Sequence, residues 1–79
     1  MSTKYIRTQS NLIIVFSEMQ QHRDFGNFNP KSAGFISFIE KDGNLSCVCY
    51  GESISLNLKS LEEEDSIIAT RQILNGNNY

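Results

Sequence analysis

The chain has 79 residues, a formal net charge of −2, and 39% hydrophobic residues that include five Phe and three Tyr. A chain this short makes one domain and buries only about 60% of its unfolded surface. The acidic balance excludes non-specific binding to DNA or RNA, which rests on a basic surface. The aromatic content argues for a folded core rather than disorder. That core is thin, and small domains with thin cores are commonly completed by a disulfide, a metal, a ligand or a partner subunit.

The first residues, MSTKYIRTQ, lack the apolar segment of a signal peptide. No apolar run approaches the ~20 residues of a membrane span. The expected location is cytoplasmic, with no membrane contact.

Residues 5–8 read as a short strand and residues 9–11 as a turn. Residues 12–16, LIIVF, then form a second, buried strand. Ser17 stands three residues before Gln20, a capping-box spacing that predicts a short helix over about 18–24, ending at Gly26. Residues 26–31, GNFNPK, form a loop rich in turn residues.

Asp42-Gly43 joins two apolar runs and predicts a type I′ hairpin, since both turn positions need positive φ. Its two-residue turn places Glu40 opposite Leu45, Phe38 opposite Cys47 and Ile36 opposite Cys49. The other face then carries Phe35, Ser37, Ile39, Ser46, Val48 and Tyr50. Both faces are partly apolar, whereas a sheet with one solvated face alternates cleanly. One face is expected under the helices and the other against a second subunit.

Gly51 marks a bulge or bend. Beyond it, Ile54, Leu56 and Leu58 share one strand face, and Ser53, Ser55 and Asn57 the other. Ser60 with Glu63 gives a second capping box, and the acidic run 62–65 complements a helix N-terminus. The helix is expected to reach about Leu74 and to stop at Asn75-Gly76. The predicted class is therefore α+β. It has an antiparallel sheet of about five strands, one short helix and one C-terminal helix.

Catalytic constellations are missing. His22 is the single histidine, and Asp24 at i+2 points to another side of a helix. No G-x-S-x-G elbow is present. Cys47 and Cys49 alternate on one strand about 7 Å apart, too far for a disulfide. With His22 they match no standard zinc spacing. They read as reduced core thiols, and no metal or cofactor is implied. The reading is a non-catalytic protein.

A binding role rests on other residues. Ser53, Ser55 and Asn57 offer short hydrogen-bonding groups beside Tyr50. Phe28 stands in a loop flanked by Arg23 and Lys31, and Arg71 interrupts an apolar helix stripe. Cations interleaved with aromatics suit phosphate pairing and base stacking. The candidate ligand set is Arg7, Arg23, Lys59 and Arg71 for phosphate. Ser53, Ser55 and Asn57 would hold the sugar or base, and Phe28 or Tyr50 would stack.

Three segments, SAGF (32–35), GESISL (51–56) and SLEEED (60–65), resemble pieces of small, mostly uncharacterised proteins of bacteria and their phages. The similar pieces span residues 4–74. Size and β-rich organisation are also similar to phage anti-defence sponges, small oligomers that sequester cyclic-nucleotide signals. No sponge ligand residue maps onto this chain. The resemblance implies a homo-oligomer that sequesters or senses an anionic small molecule such as a cyclic nucleotide. The alternative is an interaction module or inhibitor that covers a partner protein's surface.

Overall fold

The computed structural model describes residues 3–74. Four strands, β1 (Thr3–Arg7), β2 (Ile13–Phe16), β3 (Ser32–Lys41) and β4 (Asn44–Tyr50), form one antiparallel sheet in the order β2-β1-β3-β4. Two short strands, β5 (Glu52–Ser53) and β6 (Leu58–Lys59), pair separately. A 3-10 helix covers His22–Phe28. Helix α1 (Glu62–Ala69) continues as a π-helical stretch over Thr70–Leu74. The α+β class holds, with four strands in the main sheet.

The β3–β4 register follows the Asp42-Gly43 turn. Asp42 (φ 55°) and Gly43 (φ 81°) both take positive φ. Glu40 then faces Leu45, Phe38 faces Cys47 and Ile36 faces Cys49. One face of the sheet buries Tyr5, Ile13, Ile36, Cys47 and Cys49 beneath Ile68, Ala69, Ile73 and Leu74 of the C-terminal helical segment. The opposite face buries Ile6, Phe16 and Ala33 beneath Phe25 of the 3-10 helix and Leu56 and Leu58 of the β5–β6 hairpin. The sheet is thus the middle of three layers.

Two glycines permit this closure. Gly34 is opposite Tyr5 in the β1–β3 ladder, and a Cβ there would run into the Tyr50 carbonyl oxygen. Gly51 (φ 77°) makes the expected bend after β4, and its missing Cβ leaves room for the Phe35 ring.

Three local expectations are corrected. Ser17 closes only one turn, by accepting from the Met19 N–H at 3.3 Å. The helix starts later, at His22, where the Gln21 N–H bonds the Asp24 carboxylate at 3.1 Å. Met19 is 91% exposed, so nothing apolar holds a helix over 18–21. The strand expected after Gly51 folds back on itself. Asn57 is left-handed (φ 55°), and its N–H reaches the Ile54 carbonyl at 3.1 Å. Ser53, Ser55 and Asn57 therefore share no strand face. Ser60 does not cap α1: its hydroxyl donates to the Gly51 carbonyl at 2.8 Å, while Asp65 accepts from the Leu61 N–H at 3.0 Å. The expected stop at Asn75-Gly76 lies outside the described residues.

Candidate functional site

The acidic run was expected to complement the N-terminus of the helix, and Asp65 does more than that. It lies on the helix face shared with Ile68, Ala69 and Gln72, and is fully buried. Its carboxylate accepts from the Tyr5 hydroxyl, from Ser32 Oγ at 2.7 Å, from the Leu61 N–H and from Arg7 Nη1 at 2.9 Å. Arg7, 2% exposed, also bonds Asn11 Oδ1 and the carboxylate of Glu64. Every donor in this cluster is answered, so the buried pair is compensated. Burial, and then the bond to Asp65, keep the Tyr5 hydroxyl protonated far above its ordinary range. Burial, and then the Asp65 charge, push the Cys49 thiol up to about 12. Arg7 is therefore an internal counter-ion, which corrects its assignment as a phosphate ligand.

The same helical segment seals the sheet edges. Ser66 Oγ accepts from the Cys49 N–H at 2.8 Å, and Thr70 Oγ1 from the Cys47 N–H at 2.9 Å. Four helix residues rise about 6 Å and two strand residues about 6.8 Å, so an i, i+4 hydroxyl pair matches alternate strand amides. On the other edge, the Gln72 side-chain amide bonds both the N–H (2.9 Å) and the carbonyl (2.8 Å) of Ile13. Sequence periodicity marks these helix positions only as polar neighbours of the apolar stripe. It does not reveal that they serve the backbone.

What remains uncovered is the outer half of the β3–β4 hairpin. Phe38, Ile39, Leu45, Val48 and Tyr50 are 37–55% exposed. Tyr50 stacks on Phe35 with centroids 5.8 Å apart. Ile67 of α1, 47% exposed, lines a groove beside β4.

That groove, of about 430 Å³, runs past Ser46, Cys47, Ser66, Ile67, Thr70 and Arg71. Arg71 is exposed and, among the described residues, forms no ion pair. A second hollow of about 420 Å³ gathers Ser53, Asn57 and Lys59 with Glu52 and Ile54. Ser53 is 2% exposed and its hydroxyl accepts from the Leu56 N–H at 3.2 Å, so it serves the turn. Ser55 is exposed outside this lining. Arg23 and Phe28 lie on the 3-10 helix, with Phe28 stacked on Phe25. The nine expected ligand residues thus separate into a core position, two distinct hollows and scattered surface, and form no single pocket.

His22 is buried. Its Nε2–H donates to the Gly34 carbonyl at 2.8 Å, and its ring meets Phe16 and Phe35 edge-on. Burial lowers its pKa, opposed by that carbonyl. It sits on the face away from Cys47 and Cys49, which are free and buried, so these three residues do not converge on a metal. Among the described residues, no group of His, Cys, Asp or Glu could hold one, and no helix is long and apolar enough to cross a membrane. Comparisons with protein-family models, curated protein sequences and solved structures returned no match.

Proposed function

We propose that this chain is a non-catalytic interaction module whose contact surface is the outer β3–β4 hairpin, and that it associates with itself through that surface. One observation carries this reading. Five bulky apolar side chains on a single two-stranded ladder stand 37–55% exposed in a protein with little apolar surface to spare. Ile39, Val48 and Tyr50 share one face of that ladder, and Phe38 and Leu45 the other; uncovered apolar surface of this kind is the usual mark of a contact surface. Sedimentation equilibrium tests it. Self-association that is lost on combining Phe38→Lys with Val48→Lys supports the reading. A 9.0 kDa monomer at every concentration opposes it.

A second reading keeps the anionic ligand and moves it to one groove. Arg71 is an exposed cation without an ion partner among the described residues, and it lines the hollow with Ser46, Ser66 and Thr70. A nucleotide phosphate would pair with its planar fork. A nucleotide library tested by thermal melting decides this. A hundredfold excess over Kd should stabilise by about 2.7 kcal/mol, and Arg71→Ala should abolish the shift. No shift with any nucleotide removes this reading.

A further inference from the structure

We infer that a second copy of this chain packs on the β3–β4 hairpin through the face bearing Ser37, Ile39, Ser46 and Val48, sheet against sheet. The inference rests on the hairpin reading above and specifies which of its surfaces meets what.

The free edge of β4 is the first alternative, since an exposed edge strand commonly recruits another strand. Here the Cys47 and Cys49 amides already bond Thr70 and Ser66. A fifth strand would have to displace both hydroxyls. The partner must therefore take a side-chain face.

Charge decides between the two faces. The α1-side face exposes Phe38 and Leu45, but Glu40 lies directly opposite Leu45 in the ladder. Covering that face would strip water from a carboxylate that forms no ion pair among the described residues, which is costly. On the other face, Ser37 pairs with Val48, Ile39 with Ser46, and Phe35 with Tyr50. The charges on this surface stand at its rims, Lys41 by the turn and Lys4 beside Phe35 in the β1–β3 ladder, where its Nζ donates to the Gln20 carbonyl.

Its relief also suits a copy of itself. Across the ladder, a small serine stands beside each bulky residue in the Ser37–Val48 and Ile39–Ser46 pairs. A two-fold axis through the centre sets the bulky side chains of one copy over the serines of the other. Such isologous, self-complementary contacts are the common form of homodimers. Facing sheets pack about 10 Å apart, a gap these side chains can fill.

The size of the surface sets the strength. Seven residues at about 3.4 Å make a ladder about 24 Å long and two strands wide. At about 5 Å per strand its footprint is about 240 Å² per copy, below the size of a standard specific interface and in the weak and transient class. The dimer should be concentration-dependent rather than permanent.

Sedimentation equilibrium from about 10 µM to about 500 µM tests this on the full chain and three single variants. These are Val48→Lys and Ile39→Lys on the inferred face, and Phe38→Lys on the other. Far-UV circular dichroism checks that each is folded; two variants on the inferred face keep the test available if one unfolds. The expected result is a monomer–dimer equilibrium weakened at least tenfold by Val48→Lys and Ile39→Lys, and by less than threefold by Phe38→Lys. Loss in Phe38→Lys alone overturns the face assignment and leaves the hairpin as the contact surface. An unchanged dimer in all three moves the interface away from the hairpin and overturns both readings. A wild-type monomer throughout the range likewise overturns both.

Discussion

Arg7 of β1 and Asp65 of α1 meet at 2.9 Å with neither open to solvent. This contact spans 58 residues and fastens the last helix to the first strand. Asp65 also receives Tyr5, Ser32 and the amide of Leu61, the residue just before its own helix. It works as N-terminal cap, tertiary anchor and counter-ion together.

Asp65→Ala should therefore destabilise the protein by about 3–5 kcal/mol, because it leaves the buried Arg7 charge without its enclosed partner. Urea denaturation followed by circular dichroism measures this. Ser60→Ala should have a smaller effect, about 1 kcal/mol, from one lost hydrogen bond to Gly51. Equal losses for the two variants would contradict the assignment of the cap to Asp65.

Stability should fall as pH rises above about 9. The Cys49 thiol has its pKa raised from 9.0 to about 12, and the Tyr5 hydroxyl is raised above its ordinary 10.0. Between those limits the unfolded chain releases protons that the folded chain keeps. Fewer protons bound in the unfolded state means that stability declines with pH. The slope is at most about 1.4 kcal/mol per pH unit for each group. Urea midpoints at successive pH values read it, and Cys49→Ala should flatten the first part of the decline.

His22 gives the opposite dependence on the acid side. Its pKa is lowered from 6.5, so its contribution is full above about 6.5 and is lost as pH falls below that value. Midpoints from pH 7.5 down to pH 5.5 should decline in the native sequence. His22→Gln, which retains a donor for the Gly34 carbonyl, should abolish the decline.

Thr70→Val should free the Cys47 amide and cost about 1–3 kcal/mol. It should also raise the tendency to aggregate, since it reopens part of an edge strand. Light scattering during heating, compared with a surface control such as Lys41→Ala, reports the difference. An aggregation onset equal to that of the control would show that the hydroxyl does not guard the edge.

The β3–β4 ladder was legible because an Asp-Gly turn fixes register locally and alternation fixes the faces. The Gly51 bend and the burial of Cys47 and Cys49 follow from the same logic. The Ser53–Asn57 segment was misread because alternation also fits a tight turn, and a left-handed Asn57 decides for the turn. Ser60 had the spacing of a cap, yet its hydroxyl and its N–H both bond the Gly51 carbonyl instead. Arg7 looked available because its partner lies 58 residues away. Long-range pairing leaves no periodic trace in either segment. Ser53, Ser55 and Asn57 scatter because they were grouped on one strand face that does not form.

The clasp on the sheet edges has a consequence for biosynthesis. Ser66, Thr70 and Gln72 follow all the strands among the described residues, so the ribosome makes all four strands of the sheet before any of their edge amides is sealed. Until residues 62–74 have left the exit tunnel, the nascent sheet presents bare backbone on both sides together with an apolar hairpin. Polysomes carrying this message at high density would bring such edges close to one another. Expression should therefore favour slow initiation or low temperature, either of which lets each helix close over its own sheet before a neighbouring chain reaches it.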